Sequence, residues 1–268
     1  MFSNHQIKEL LKRIEDNDNY FLDTAQNYGN AESLVGDYSP GRLNDKIVTK
    51  IQFEKSDSSS DIMRKIKASL FKVKQDRFYS VLLHNSEIIH HNNFENIISG
   101  LADSKDLGLT LNIGVSCYES IEVTSVMERT NLCTQFQIPE NVADRRNQHN
   151  LELITLHKSG ISFAIRSIFL QGILLLNRTD VPNYFHPCID VFDSIAQSSK
   201  FHQVTRLKYC LDYVNSLTWK DGIVLGIEDL NQLDEISKEL NKPILVSKFD
   251  SKTFNSNYVD PRSWVKLR

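Results

Sequence analysis

At 268 residues, 40% hydrophobic and 24% charged, the chain is a globular protein able to bury a sizeable core, as two ordinary domains or one large α/β barrel. A net charge of -3 offers no basic surface, so nucleic acid is not indicated as a partner. No apolar run approaches the roughly 18 residues of a membrane span, and MFSNHQIKEL lacks the charged-then-apolar pattern of a secretion signal, so the expectation is a cytoplasmic protein with no membrane partner.

In chain order, the periodicity predicts an amphipathic helix at NHQIKELLKRIED, a short apolar strand at YFLDT, and a helix-like stretch after NYGN. A strand at KIVTKI follows, then SDSSSD as a loop ending in a cap at Asp61 for the helix SDIMRKIKASLFKV. Further strands are predicted at FYSVLLH, LNIGVS, TQFQI, ISFAIRS and GIVLGI, with helices at RNQHNLELITLHKSG and DLNQLDEISKEL. Between the last two strands, LNRTDVPNYFHPCID has the polar, proline-containing character of an inserted loop, before one helix around SIAQSSKFHQVTRLKYCLDYVNSL.

The strands end near residues 23, 50, 83, 115, 137, 165 and 225, mostly one βα unit apart, which for a strand with its crossover helix is roughly 30 residues. No linker or composition shift divides the chain, so residues 1–268 are taken as one domain. Seven alternating strands suggest a (β/α)8 TIM barrel. A doubly wound sheet is the competitor, but no G-x-G-x-x-G follows any strand and no G-x-x-x-x-G-K-[ST] occurs.

Cys117, Cys133, Cys188 and Cys210 are widely spaced without a C-x-x-C pair, which predicts reduced thiols, at least two of them in the core, and neither zinc ribbon nor disulfide scaffold. No metal site is predicted. His90 and His91 are adjacent and point apart on a helix, so a solvated helix start is expected there. Arg145 and Arg146 either pair with acids or border a site.

In a barrel the carboxyl ends of the strands converge on one mouth, where active sites are built. Asp23, Lys50 and His84 each close a predicted strand, and Tyr28 lies one short loop beyond the first. Taken singly, each has a plain structural use as cap, solvated lysine, rim tyrosine or core imidazole.

Together they resemble a known family. LDTAQNYGNAE is similar to the D-T-A-x-x-Y-G-x-x-E motif of the aldo-keto reductases, IVTKI to their lysine strand and LLHN to their histidine strand. The resemblance continues through IGVSCYES, TQFQIPENVADRR, AIRSIFLQGILL and VDPRSW, over nearly the whole chain. It implies a barrel of aldo-keto reductase type and an NAD(P)H-dependent oxidoreductase that reduces an aldehyde or ketone, with a keto sugar as one option.

The implied catalytic residues are Asp23, Tyr28, Lys50 and His84. Tyrosine has an ordinary pKa of about 10 and donates a proton poorly near neutrality unless its anion is stabilised. A Lys50 ammonium held by Asp23 meets that need, and His84 can donate a hydrogen bond to the substrate oxygen. Carried over by position, Ser116 and Gln137 hold the carboxamide of a nicotinamide; Arg166, Ser167, Gln171 and Gly172 flank the ring and pyrophosphate; Gly226, Glu228 and Gln232 lie at the adenosine end.

Four features depart from the family pattern. Arg166 and Glu140 stand where aromatic residues are usual, which implies reduced cofactor affinity. Glu228 and Asp229 stand where many members present basic groups to the 2′-phosphate of NADP, so NADH is expected to bind at least as well, unless both acids only cap the last helix. The glycine-rich first strand has no counterpart before NHQIKELLKRIED, which would leave YFLDT and GIVLGI as edges and raise the expectation of self-association. That omission supports an alternative: a catalytically inert or regulatory barrel that binds a partner or small molecule without turnover. The substrate is not legible, but the segment from Asn177 to Asp190 is the expected pocket wall, with Tyr184, Phe185 and His186 as contacts.

Overall fold

The computed structural model describes residues 2–261 and 264. Its strands are β1 (Leu22–Asp23), β2 (Ile47–Ile51), β3 (Phe78–Leu83), β4 (Thr110–Ser116), β5 (Gln135–Pro139), β6 (Ser162–Arg166) and β7 (Gly222–Ile223). They form a seven-stranded sheet in sequential order. The pairs from β1 through β5, and the β6 and β7 pair, are parallel. Interleaved are α1 (Asn4–Glu15), α2 (Ala31–Tyr38), α3 (Ser59–Val73), α4 (Phe94–Asp106), α5 (Ser120–Arg129), α6 (Leu151–Lys158), α7 (Ile189–Phe201), α8 (Arg206–Asn215), α9 (Leu230–Leu240) and α10 (Ser256–Val259). Among the described residues no strand precedes α1. The chain divides into two compact units, residues 1–138 with 159–163, and residues 139–158 with 164–268.

In the first unit, helix ends are fixed by side chains the sequence supplies. Ser3 and Gln6 form a capping box at the start of α1, while the Lys46 ammonium donates to the carbonyls of Ile14, Glu15 and Asn17 at its end. The cap of α3 is Ser58, with Asp61 inside the first turn returning the bond to the Ser58 N–H. The cap therefore falls three residues ahead of the predicted Asp61, because a hydroxyl before the helix can reach the N3 amide and the N3 acid can reach back.

Every residue of β2 is buried, as expected for a parallel strand covered on both faces. Close approach is enforced by glycine: a Cβ on Gly114 would lie 1.6 Å from the Gln135 carbonyl oxygen, and one on Gly36 would lie 2.1 Å from that of Lys72. The sheet of this unit curls strongly. The side chain of Gln137 on β5 donates to Asp23 on β1, although four strand spacings in a flat sheet would set them about 19 Å apart.

In the second unit, the single helix predicted after the insertion is two, α7 and α8. Gln203 turns the chain with φ 57°, and the Thr205 hydroxyl caps α8 by accepting from Lys208 N–H at 3.1 Å. Helix α6 starts later than its periodicity suggests, because Asn150 accepts from the N–H groups of Glu152 and Leu153 and fixes the first turn there. The strand predicted over GIVLGI is confined to Gly222–Ile223, paired with Ala164 and Ile165. Trp219, Tyr209 and Tyr213 are fully buried, and Trp219 donates its indole N–H to the Asn147 carbonyl at 3.0 Å.

All four cysteines are free and buried. Burial pushes the Cys133 and Cys210 thiols up to about 12. Among the described residues no helix is long and apolar enough to cross a membrane, and no three His, Cys, Asp or Glu side chains could hold a metal ion.

Candidate active site

Register explains how the first unit assembles its polar cluster. Asp23 aligns with Val48, so Lys50, two residues on, shares its face of the sheet. The Lys50 ammonium is almost fully buried and donates to one carboxylate oxygen of Asp23 and, at 3.2 Å, to the Thr24 carbonyl. The other oxygen of Asp23 accepts from the side-chain amide of Gln137. Lys50 Nζ lies 5.5 Å from the Tyr28 ring centroid, and the His84 ring meets Tyr28 edge-on at 5.9 Å and 82°. A cation within about 6 Å of a ring face is attracted by its quadrupole. Tyr28 itself is 48% exposed, the one member of the group that faces solvent broadly. Asp23, Lys50, Tyr28 and His84 are thus gathered at the ends of β1, β2 and β3.

Ser116 and Gln137 are register partners at the ends of β4 and β5, and both are buried. The Gln137 amide N–H is engaged by Asp23, whereas its carbonyl oxygen, Oε1, is buried with no hydrogen-bond partner among the described residues. A buried acceptor left unpaired costs about 1–3 kcal/mol. A carboxamide N–H arriving there would supply the missing donor, so the residues present fit a nicotinamide.

In the second unit, Arg166 closes β6, and Ser167 follows it with φ 62°. Leu170, Gln171 and Gly172 are three successive residues with positive φ, 49°, 56° and 83°. Left-handed backbone costs a non-glycine residue roughly 1–2 kcal/mol, so this turn stores strain at the predicted pyrophosphate segment. At the predicted adenosine end, Gly226 and Glu228 are exposed. Asp229 and Gln232 are a reciprocal cap: the Asp229 carboxylate accepts from Gln232 N–H at 2.9 Å, and the Gln232 side chain accepts from Glu228 N–H at 2.9 Å. Capping therefore accounts for Asp229, and the Glu228 carboxylate is left at the surface.

Glu140 is a core acid. It is fully buried, accepts the Tyr213 hydroxyl proton, and accepts from the Asn147 N–H and side-chain amide at 3.2 and 3.1 Å. Burial pushes its carboxyl up to about 8, against the lowering effect of Tyr213. The Tyr213 phenol is also raised, by burial first and then by Glu140. Arg145 donates to the carbonyls of Phe249 and Ser251, and Arg146 pairs with Asp144, so both have structural partners.

The segment from Asn177 to Asp190 is short 3-10 turns rather than open loop. Phe185, expected as a substrate contact, is instead fully buried against Phe192, Phe254, Tyr258 and Trp264, because an aromatic ring with that many ring neighbours gains most in the core. Tyr184 donates to the Asn257 carbonyl, and His186 stays exposed. Arg262 and Ser263 of VDPRSW lie outside the described residues. Reading for motifs missed the Thr24 carbonyl, the bond between Gln137 and Asp23, and the Glu140 network. A backbone carbonyl carries no residue-type signal, and the other two depend on register.

Comparison with curated proteins finds no match. Solved structures with this fold include the holo form of aldo-keto reductase AKR11C1 from Bacillus halodurans, at 16% identity and TM-score 0.75, covering 96% of this chain and 91% of that one. Its apo form is 18% identical with TM-score 0.71, covering 100% and 88%. The thermostable aldo-keto reductase Tm1743 in complex with the inhibitor epalrestat is 18% identical with TM-score 0.67, covering 97% and 87%. The fold is therefore the (β/α)8 barrel type of those enzymes, with seven strands among the described residues. The model of the aldo/keto reductase family matches residues 2–251, and the chain belongs to that family of carbonyl oxidoreductases.

Proposed function

We propose that the chain is an NAD(P)H-dependent reductase of a small aldehyde or ketone, with Tyr28 as proton donor. The observation that carries this reading is the Lys50 ammonium, clamped by Asp23 and the Thr24 carbonyl beside the Tyr28 ring. A fixed positive charge favours the phenolate left when Tyr28 gives up its proton, and Asp23 keeps that charge aimed. His84 orients the carbonyl oxygen by donating a hydrogen bond to it. When bound, a reduced nicotinamide supplies the hydride, while Tyr28 delivers the proton to the oxygen and regains one from water. Ser116 and Gln137 hold the carboxamide, and the unpaired Gln137 oxygen supports that assignment. Arg166, Ser167, Gln171 and Gly172 would serve the ring and pyrophosphate, and Gly226, Glu228 and Gln232 the adenosine end.

The test is oxidation of NADH or NADPH by the purified chain against a panel of aldehydes, ketones and keto sugars, with cofactor binding followed by quenching of protein fluorescence. Tyr28→Phe should lose activity about 100-fold or more while binding cofactor normally, in line with the usual value of a general acid. No binding of either cofactor at millimolar concentration would reject the reading and leave an inert barrel.

A further inference from the structure

Gln26 lies between Asp23 and Tyr28 and is bound on three sides to the neighbouring βα unit. Its side-chain N–H group donates to the Lys65 carbonyl at 3.1 Å and to the Ser69 hydroxyl at 3.0 Å, both on α3. Its side-chain oxygen accepts from Gln52 N–H at 3.1 Å, two residues beyond Lys50. Its own backbone N–H donates to the Lys50 carbonyl, also at 3.1 Å. Asn27, next in the chain, is exposed, whereas Ser69 is fully buried.

These bonds have a consequence for the tyrosine. Tyr28 is broadly exposed, so the backbone that carries it has a large part in where its ring stands. Its backbone is set by a turn in which Tyr28 N–H donates to the Ala25 carbonyl at 3.1 Å, and that turn contains Gln26. The Gln26 side chain, two residues before the ring, thus ties this turn to α3 and to Gln52 just past β2, while its backbone N–H bonds the Lys50 carbonyl on that strand.

We propose that Gln26 is a positioning residue that sets the Tyr28 ring against Lys50 by tying the β1 loop to β2 and α3. The inference rests on the reading of Tyr28 as proton donor, and its test has an arm that does not need turnover. The full chain is labelled with fluorotyrosine and the Tyr28 line identified by its loss in Tyr28→Phe. In Gln26→Leu, which keeps the volume and removes all three side-chain bonds, the Tyr28 line should shift and broaden while the other tyrosine lines stay in place. Gln26→Glu, which keeps an acceptor for Gln52, should move it less.

With NADH and benzaldehyde or glyceraldehyde, Gln26→Leu should lower kcat about 10- to 100-fold, the scale of a catalytic group misplaced by roughly 1 Å, with KM and cofactor affinity within about threefold. A Tyr28 line unmoved in Gln26→Leu would overturn the inference, as would all tyrosine lines moving together, which marks a general loosening of the fold. Absence of turnover in the unsubstituted chain counts against the proposed function instead, and the fluorine lines still decide the role of Gln26.

Discussion

Gln137 on β5 donates its side-chain amide proton to Asp23 on β1, so the carboxylate that grips Lys50 is itself gripped from across the sheet. One oxygen of Asp23 faces the ammonium and the other faces the amide, which leaves the carboxylate little freedom to rotate. The same glutamine presents its unpaired oxygen as the candidate acceptor for a cofactor carboxamide. On the proposed function, Gln137 would link cofactor occupancy with the orientation of the Asp23 and Lys50 pair.

Gln137→Leu should accordingly weaken NADH binding and slow turnover together. Loss of a hydrogen bond to a charged group is worth roughly 1.5–3 kcal/mol, or about 10- to 150-fold, and that is the expected fall in kcat/KM. Gln137→Glu should be worse, since it sets a second carboxylate against Asp23. Equal kcat/KM in Gln137→Leu and the unsubstituted chain, with intact folding by circular dichroism, would separate Gln137 from the site.

How much of this was legible in the sequence depends on whether a feature is local. The alternation of apolar runs and amphipathic stretches marks all seven strands, because buried parallel strands and one-sided helices leave patterns within a few residues. Asp23, Lys50 and His84 could be grouped for the same reason: a strand end is a local property, and the fold brings strand ends together. Phe185 went astray because its burial depends, beyond nearby Phe192, on Phe254, Tyr258 and Trp264 far along the chain, none of which NYFHPC can announce. The division into α7 and α8 rests on the left-handed turn at Gln203, a conformation glutamine seldom marks. Glu140 was noticed as an oddity, but its partner Tyr213 lies 73 positions away, so burial was not predictable.

Glu140 gives the protein a pH dependence of known sign. The carboxyl's ordinary value is 4.5, and burial raises it to about 8 in the folded chain. Below 4.5 both states hold the proton; between the two values the unfolded chain has released it and the folded chain has not; above about 8 both are ionised. The Glu140 contribution to stability is therefore complete in acid, falls as pH rises through this window, and levels off above it. Glu140→Gln stays neutral throughout and can still bond Tyr213 and Asn147, so its melting temperature relative to the unsubstituted chain should rise steadily from pH 5 to pH 8. A parallel pair of curves would show that the carboxyl does not titrate in that window.

Glu228 makes the cofactor preference testable by one substitution. Asp229 is committed to capping α9, so Glu228 is the exposed carboxylate of this segment. Two unit charges about 4 Å apart in water interact by about 1 kcal/mol, and exchange of a carboxylate for an ammonium changes the sign of that interaction. Glu228→Lys should thus raise the affinity for NADPH relative to NADH by up to about 30-fold, the swing of about 2 kcal/mol from repulsion to attraction, with the effect shrinking as salt is added. Titration of both cofactors at low and high salt checks this, and an unchanged ratio would move the 2′-phosphate away from Glu228.

A buried ion pair lies inside α8. Lys208 and Asp212 are i,i+4 partners at 2.6 Å, with side chains 2% and 0% exposed. Their loads are unequal. Besides Lys208, Asp212 accepts from the N–H groups of Leu245 and Val246 at 3.0 and 3.2 Å, fastening the segment after α9, whereas Lys208 has one further bond, to the Lys242 carbonyl at 3.4 Å. Removing one partner of a buried pair costs about 3–5 kcal/mol, because the other charge stays behind. Asp212→Ala strands the ammonium and two backbone donors together, while Lys208→Met leaves the carboxylate with both of those donors. Asp212→Ala should therefore be the more damaging, by about 1–3 kcal/mol in urea unfolding, the cost of a buried donor left unpaired. The double substitution Lys208→Met with Asp212→Leu should recover only part of the loss, since the Leu245 and Val246 amides remain without an acceptor. Full recovery in the double variant would mean that the charge pair alone, and not the anchoring of residues 245 and 246, sets the stability of this helix.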